Sequence, residues 1–329
     1  MKRKWTRRAF TRTVLGATAA ALARPALLRA AEPLTFGCVP ANSVHWIACV
    51  AVDQGFFKNV GFEAQVATFQ SSPQSMQMLI TGGYQVASTQ PESAIAAIER
   101  GASALAAISA PMNRADWVLA GARGIKSLAD LKGKIIGVSS LRISEVWLTT
   151  QLLERAGLKK DEFSFIAAGT SPLKITALEK GSIAAAVLFR PSADLALKEG
   201  FADLARYSDL RDYPTVLYMV DKSWAGKGDA GKRAAQAIQD GHRWLWDPQN
   251  RQAAISILAK YTKRDPAICA AVYEDYFVEE MTYSKTGEIS LSGLQNVLDD
   301  VAADGDIVKP PAPPPSKYVL DKSLGGLWM

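Results

Sequence analysis

Cysteine and histidine are scarce in this 329-residue chain, which contains three cysteines and two histidines. Neither His45 nor His242 lies in an H-x-x-x-H or C-x-x-C context, so the sequence offers no recognisable metal site. It also contains no G-x-S-x-G motif and no Ser/His/Asp arrangement that would pair a nucleophile with a base. We therefore expect a protein that is not an enzyme, with no catalytic residue, no metal and no cofactor.

A long apolar run is missing near the N-terminus, where residues 14–22 form only a short one. A membrane-spanning helix needs about 20 apolar residues, so this run is too short to cross a bilayer. It follows the paired arginines Arg7 and Arg8 and is ended by Arg24 and Pro25. This order is typical of an export signal, and the paired arginines favour the twin-arginine route. We predict that residues 1–31 are a twin-arginine signal peptide and that the mature protein works in the periplasm.

The net charge of +6 comes from the same N-terminal segment. Residues 1–31 hold eight basic residues and no acidic one, which leaves 30 basic and 32 acidic residues in the rest of the chain. Because no basic stripe remains for a phosphate backbone, we expect no nucleic-acid partner. A mature chain of this length is expected to form two lobes rather than one core, and we expect a monomer.

The three cysteines are an odd number for an oxidising compartment. Cys38, Cys49 and Cys269 lie in apolar segments, so buried core thiols are the favoured interpretation. A disulfide between Cys38 and Cys49 is the alternative.

Short apolar strands alternate with helical stretches along the chain, which predicts an α/β fold. The first block is expected to hold strands near residues 34–39, 62–69, 85–88 and 104–109. The second block begins near residue 127, and residues 216–220 start a return segment followed by long helices. Two crossings are predicted between the blocks, near 110–125 and 207–216, and the proline-rich residues 309–315 are predicted to be a stiff linker in the tail.

Four segments resemble a known family. Residues 47–63, with Gly55-Phe56-Phe57, are similar to the A-x-x-x-G-F-F-x-x-x-G-L-x-V opening of the nitrate/sulfonate/taurine (NMT1-like) substrate-binding proteins of ABC importers. Residues 79–87 resemble the family's L-x-x-G-x-x-D-x-A segment, 128–138 its L-x-D-L-K-G-K-x-x-G-V and 177–185 its A-L-x-x-G-x-x-D-A. The chain is therefore identified by resemblance as a member of this family.

The resemblance implies a type II periplasmic binding protein fold with two lobes, each a mostly parallel sheet flanked by helices, and two hinge crossings. Residues 32–115 and 214–329 would form lobe 1, and residues 116–213 lobe 2. A cleft between the lobes would hold a small-molecule ligand and present it to an ABC permease and ATPase complex at the inner membrane. The chain departs from the family at Gln85 and Ala184, where an aspartate is usual, and at Arg190, where an acid is common.

Ligands of such folds lie at the carboxyl ends of strands and at helix N-termini. Arginine matches a carboxylate or sulfonate with two parallel hydrogen bonds, so the arginines in these loops favour a small organic anion. Serine-rich turns ahead of helices suit an oxyanion, and Arg114 is alternatively a hinge partner of Asp116. The candidate ligand-binding residues are Asn42, Ser43, His45, Trp46, Thr89, Gln90, Arg114, Ser139, Ser140, Arg142, Thr170, Ser171 and Arg190.

Other interpretations of the function follow from the residues and the resemblance. Residues 226–231 fit G-x-G-x-x-G, but Arg233 stands where a phosphate-binding P-loop needs serine or threonine, so a flexible surface turn is favoured. Enzymes of pyrimidine-precursor and menaquinone pathways resemble this fold, and so do ligand-sensing partners of periplasmic receptors. The export signal favours solute capture over a cytoplasmic enzyme, and we expect a solute-binding component of an ABC importer.

Overall fold

A computed structural model of the chain describes residues 31–39, 43–69 and 72–329. The predicted signal peptide, apart from Ala31, and the candidate ligand residue Asn42 lie outside these ranges, so both remain predictions. Within the described ranges, no helix is both long enough and apolar enough to cross a membrane.

Ten strands and twelve α-helices are found in the described part of the chain. The strands are β1 (Glu32–Cys38), β2 (Phe62–Thr68), β3 (Val86–Thr89), β4 (Leu105–Ser109), β5 (Val118–Gly121), β6 (Lys134–Val138), β7 (Phe163–Ala167), β8 (Ala185–Leu188), β9 (Ala202–Arg206) and β10 (Leu217–Asp221). The helices are α1 (Trp46–Asp53), α2 (Phe56–Asn59), α3 (Ser72–Ile80), α4 (Pro91–Glu99), α5 (Ser144–Arg155), α6 (Ser171–Glu179), α7 (Ser192–Lys198), α8 (Lys222–Gly226), α9 (Ala230–Trp246), α10 (Arg251–Thr262), α11 (Pro266–Glu274) and α12 (Leu291–Asp304). A π-helical turn, Asp275–Glu279, continues α11.

The strands form two five-stranded sheets with the same plan. The first sheet has the order β2-β1-β3-β10-β4, and the second has the order β7-β6-β8-β5-β9. In each sheet the fourth strand, β10 or β5, runs antiparallel to its two neighbours. The prediction of two mostly parallel sheets flanked by helices is confirmed. The chain passes between the sheets twice, through residues 110–117 and 207–216.

The central strands are apolar along their whole length because helices cover both faces of each sheet. All residues of β3, β4, β5 and β8 are buried. One apolar cluster packs α1, α9, α10 and α11 against one face of the first sheet. A second cluster covers the other face and continues through Trp117 and Tyr207 into the second sheet, so the two sheets share a core.

All three cysteines are buried and free, which confirms the core interpretation and leaves the Cys38–Cys49 disulfide unformed. Burial raises the pKa of the Cys49 thiol to about 12, so this thiol stays protonated and unreactive at neutral pH.

The proline-rich segment at 309–315 connects α12 to a C-terminal segment that packs against the first sheet. The chain beyond it returns to β4, where Val319 bridges Ala107 and the Leu320 N–H donates to the Ala107 carbonyl at 2.8 Å. Tyr318 and Leu320 are buried. Because β4 is the edge strand of the first sheet, the C-terminal segment covers backbone groups that would otherwise be open to another strand.

The G-x-G-x-x-G segment is a surface turn only in part. Residues 226–229 are exposed, but Gly231 is buried inside the first turns of α9. A Cβ atom on Gly231 would lie 2.1 Å from the Leu324 carbonyl oxygen, whereas one on Gly226 would meet its nearest neighbour, the Leu324 Cδ2, at 3.8 Å. The glycine at 231 is therefore required by the close approach of the C-terminal segment, not by a phosphate.

We expect Gly231→Ala to lower the free energy of unfolding by about 1–3 kcal/mol, because overpacking against a backbone carbonyl outweighs the helix propensity gained. Gly226→Ala is the matched control and is expected to change stability by less than about 0.5 kcal/mol. Urea unfolding followed by tryptophan fluorescence measures both. Equal stability of the two variants would show that the C-terminal segment is not held against α9.

Candidate functional site

Three polar side chains lie near the same edge of the first sheet. His45 follows β1, and Thr89 ends the neighbouring parallel strand β3, so both lie at the carboxyl ends of strands. Tyr218 of β10 pairs with Ser88 in the antiparallel register, which places it at the same edge. The rings of His45 and Tyr218 are 6.5 Å apart between centroids.

These side chains are buried, and their polar atoms find no hydrogen-bond partner in the described ranges. Both ring nitrogens of His45, the Thr89 hydroxyl and the Tyr218 hydroxyl make no hydrogen bond among the described residues. Burial lowers the pKa of His45 to about 3, so its ring is neutral at physiological pH. Because buried polar groups are nearly always satisfied, this edge has hydrogen-bonding capacity that a water or a ligand could use.

Trp117 adds a donor where the first crossing enters the second sheet. Its ring packs edge-on against Phe189 and Tyr207, with centroids 5.4 and 5.6 Å away. The indole nitrogen is buried and finds no acceptor in the described part of the protein. Trp117 therefore provides a flat apolar ring with one unused N–H where the two sheets meet, a place called the junction below.

In the second sheet, a buried ion pair occupies the ends of β6 and β7. The Lys174 ammonium lies 3.1 Å from Glu145 Oε2 and 3.1 Å from Ser139 Oγ, and both charged side chains are fully buried. The Ser139 N–H also donates to Glu145 at 2.9 Å. Burial lowers the pKa of Lys174. The serine turn predicted to bind an oxyanion is thus held by the carboxylate of Glu145.

A second carboxylate occupies the N-terminus of α5. Glu92, in α4 beside the first sheet, accepts hydrogen bonds from the Ser144 backbone N–H at 3.2 Å and from the Ser144 hydroxyl at 3.1 Å. A helix N-terminus favours negative charge, and here the protein provides that charge itself. Burial raises the pKa of Glu92. The contact between Glu92 and Ser144 joins α4, beside the first sheet, to α5, beside the second sheet.

Arg190 is a deeply buried charge at the junction. It follows β8 and is 2% exposed. Its guanidinium is hydrogen-bonded to Asp194 of α7 and to Asp275 of the π-helical turn, and it lies 2.8 Å from Glu280. Asp194 belongs to the second-sheet side, whereas Asp275 and Glu280 follow α11 on the first-sheet side. Arg190 therefore bridges the sheets through carboxylates at both terminal nitrogens, while its buried Nε–H finds no acceptor among the described residues.

The acids around Arg190 outnumber the bases. Arg206 contacts Glu280 at 2.6 Å and Asp275 at 3.7 Å. Two arginines thus face the carboxyl groups of Asp194, Asp275 and Glu280, with that of Asp116 nearby. Burial, opposed by Arg190, raises the pKa of Asp275 to about 6.

The other two predicted arginines lie at the surface. Arg114 is exposed and reaches Asp212 at 3.5 Å, so its partner is not Asp116. Arg142 is exposed and pairs with Asp306 at 2.7 Å. The structure does not bring the three candidate arginines together, and each of them already has a carboxylate partner. The sequence could not show this because each partner lies at least 70 residues away, apart from Asp194.

The remaining candidates divide between the core, the junction and the surface. Trp46 is fully buried and donates its indole N–H to the Ala254 carbonyl at 3.0 Å, which is a core contact. Ser43 is buried at the junction, where its hydroxyl lies 3.0 Å from the Arg190 carbonyl. The Ser171 hydroxyl accepts from the Phe189 N–H at 3.1 Å. Ser140 and Thr170 are exposed, and Gln90 is partly exposed at the start of α4.

Most residues of the junction have no recognisable signal in the sequence. Neither Tyr218 nor Trp117 follows a strand end in a recognised motif, and Lys174 looks like an ordinary surface lysine on α6. Tyr276 and Glu280 lie in or beside the π-helical turn, where the residue spacing of an α-helix no longer indicates which side chains face inward.

Two α/β units joined by two crossings, with unused polar groups where they meet, define the two-lobed binding-protein fold. Solved structures agree with this class. The periplasmic aliphatic sulphonate binding protein SsuA of Escherichia coli superposes with a TM-score of 0.69 at 20% identity, covering 88% of this chain and 97% of that one. The periplasmic nitrate-binding protein NrtA of Synechocystis superposes with a TM-score of 0.74 at 12% identity, covering 89% of this chain and 87% of that one. At these identities the likeness shows the fold alone.

The family is shown by sequence. A family model described as NMT1/THI5 like matches residues 42–251, which is more than half of the chain. A Brucella abortus protein named as a binding protein is 26% identical over 283 residues, or 84% of this chain and 86% of that protein. The chain belongs to the NMT1/THI5-like family, as the sequence motifs predicted.

We expect Lys174→Met to lower the free energy of unfolding by about 3–5 kcal/mol, because it leaves the Glu145 carboxylate buried without its counter-charge. The double variant Lys174→Met/Glu145→Gln removes both charges and is expected to recover most of that loss. Lys180→Met, on an exposed position at the end of the same helix, is the control. Urea unfolding measures all three, and a Lys174→Met variant as stable as the control would contradict the ion pair.

Proposed function

We propose that this protein is the exported solute-binding component of an ABC importer, acting as a monomer in the periplasm. Membership of the NMT1/THI5-like family and the binding-protein fold support this proposal. The observation that carries it is the set of buried, unpartnered polar side chains at the junction, His45, Thr89, Tyr218 and Trp117. Such groups are costly unless something binds to them, and solute capture gives them a partner.

The lobes of this proposal follow the two sheets. Residues 32–115 and 214–329 form lobe 1, and residues 116–213 form lobe 2, with hinges in the two crossings. Contacts such as Glu92 with Ser144 and Ser43 with Arg190 join residues on either side of the junction. A ligand that touched both lobes would stabilise this closed arrangement and present a defined shape to a permease.

The proposed ligand is a small organic anion, a sulfonate or a carboxylate. Two structural neighbours are named as sulphonate-binding and nitrate-binding proteins, which favours this class. Because the three candidate arginines are paired with carboxylates of the protein, the anion would be held in another way. The unused donors at the junction are mainly neutral, namely the Thr89 and Tyr218 hydroxyls, the Trp117 indole N–H and one N–H of neutral His45, with the buried Nε–H of Arg190 beside them. Hydrogen bonds from several neutral donors would then replace a guanidinium pair.

A thermal-shift panel tests the function and the ligand class together. The mature protein is heated with alkanesulfonates, small carboxylates, nitrate and neutral pyrimidines. A bound anion is expected to raise the melting temperature in proportion to the logarithm of its concentration over its Kd. If only neutral pyrimidines stabilise the protein, the anion proposal is wrong. A chemically changed compound, detected by mass spectrometry after incubation, would favour an enzyme of the same fold.

Thr89→Val separates ligand binding from stability. Its hydroxyl has no hydrogen-bond partner in the part of the chain that the structure describes. We therefore expect little loss of stability but an increase in ligand Kd of about 3–10-fold, the value of one neutral hydrogen bond. Thr262→Val is the matched control, because the buried Thr262 hydroxyl donates to the Leu258 carbonyl at 2.7 Å inside α10. It is expected to lose about 1 kcal/mol of stability with unchanged affinity. Calorimetric titration with the best anion of the panel measures Kd, and an unchanged Kd for Thr89→Val would remove Thr89 from the site.

A further inference from the structure

A chain of hydrogen bonds crosses the junction between the two sheets. The carboxyl group of Asp116, in the first crossing, is hydrogen-bonded to the Tyr276 hydroxyl of the π-helical turn. That hydroxyl lies 2.8 Å from the Ser43 hydroxyl, and the Ser43 hydroxyl lies 3.0 Å from the backbone carbonyl of Arg190. Asp116 is 2% exposed, and Ser43 and Tyr276 are fully buried. These three hydrogen bonds therefore have little access to water.

Three hydrogen bonds need three protons. A carbonyl oxygen can only accept, so Ser43 must use its single proton toward Arg190. Tyr276 must then use its single proton toward Ser43. The bond between Tyr276 and Asp116 is left without a proton unless the carboxyl group of Asp116 supplies one. An ionised Asp116 would leave one of the three buried contacts without a proton, and a protonated Asp116 satisfies all of them.

We infer that Asp116 is a proton-binding site: it holds a proton while the two sheets are in contact and releases it when they separate. Separation breaks the bond between Ser43 and the Arg190 carbonyl. Ser43 can then donate to Tyr276, and Tyr276 can donate to Asp116, so the carboxylate needs no proton. The proton on Asp116 thus reports whether the two sheets touch.

Burial is the largest influence on the pKa of Asp116 and raises it, whereas the charges around Asp116 act in both directions. Arg190 faces it and favours the carboxylate, whereas Glu280 and Asp194 favour the protonated acid. Arg190 is itself shared among Asp194, Asp275 and Glu280, which weakens its effect. Tyr276 and Tyr283 also face Asp116 and are neutral, because burial raises the pKa of both phenols.

The sign of the linkage follows from the proton count. The contact state binds one more proton than the separated state, so low pH favours contact between the sheets. The stabilisation of the contact state by this proton is fully present below the ordinary carboxyl pKa of about 4. It is lost as the pH rises through the raised pKa that Asp116 has in the contact state. If the protein captures its solute by closure, as proposed above, solute binding takes up a proton. The assignment of the proton itself does not rest on that function.

Infrared spectroscopy of the ligand-free mature protein at neutral pH tests the site directly. The C=O stretching band of a protonated carboxyl group lies at a higher wavenumber than both stretching bands of a carboxylate. We expect the band to be weaker in Asp116→Asn than in the wild-type protein, by the intensity of about one protonated carboxyl group. Asp306→Asn, on an exposed acid, is the control and should leave the band unchanged. An Asp116→Asn spectrum identical to that of the wild type in this region would overturn the inference.

Ser43→Ala provides a second test that keeps Asp116 in place. Without the serine, Tyr276 no longer has to donate to it and can donate to Asp116, so the acid band is expected to weaken by the same one group. Ser75→Ala removes another buried serine, whose hydroxyl donates to the Ser88 carbonyl at 2.7 Å, and should keep the band. A band lost in Asp116→Asn but kept in Ser43→Ala would refute the link to the contact between the sheets. If Asp116→Asn does not fold, the Ser43→Ala spectrum decides the question alone.

Unfolding as a function of pH gives an independent readout. Above pH of about 4, the unfolding constant of the wild type should rise about tenfold per pH unit relative to that of Asp116→Asn, until the native acid ionises. Parallel curves for the two proteins above this pH would show that Asp116 is already ionised in the native state.

Discussion

The structure depends on a buried guanidinium at the place where the two sheets meet. Removing the charge of Arg190 from water is costly, and the cost is offset only because carboxyl groups from both sides surround it. Asp194 approaches from α7, while Asp275 and Glu280 approach from the π-helical turn after α11. This requirement fixes the position of the turn, and Arg206 at the end of β9 joins the same group of acids.

The same junction shows how a protein can fill anion positions with its own side chains. Glu92 occupies the N-terminus of α5, and Glu145 holds the turn after β6 together with Lys174. Helix N-termini and serine-rich turns attract negative charge of any origin, so their presence in a sequence does not show that they are vacant. What remains available is a set of mainly neutral donors, with the buried Nε–H of Arg190 beside them. A ligand held by such donors would be selected by shape and hydrogen-bond direction more than by net charge.

The architecture could be predicted well, and the reason is local. Apolar runs such as those of β4 and β8 are buried on both faces, so their residue types alone reveal them. Long helices were predicted after the return segment, and the 17-residue helix α9, which has a regular apolar face, is one of them. The contacts of the C-terminal segment could not be predicted, because its prolines predict stiffness but do not show what the following residues contact.

By itself, the sequence determined the alternation of strands and helices, the two blocks with two crossings, the buried cysteines and the family. These properties depend on the order of apolar residues and on motifs of neighbouring residues. Only the tertiary structure decided the pairing of charges and the candidate site. Arg190 meets Asp275 across 85 residues of chain, and Tyr276 meets Asp116 across 160. Such contacts arise from the packing of two sheets, and no local pattern records which acid a buried arginine will reach.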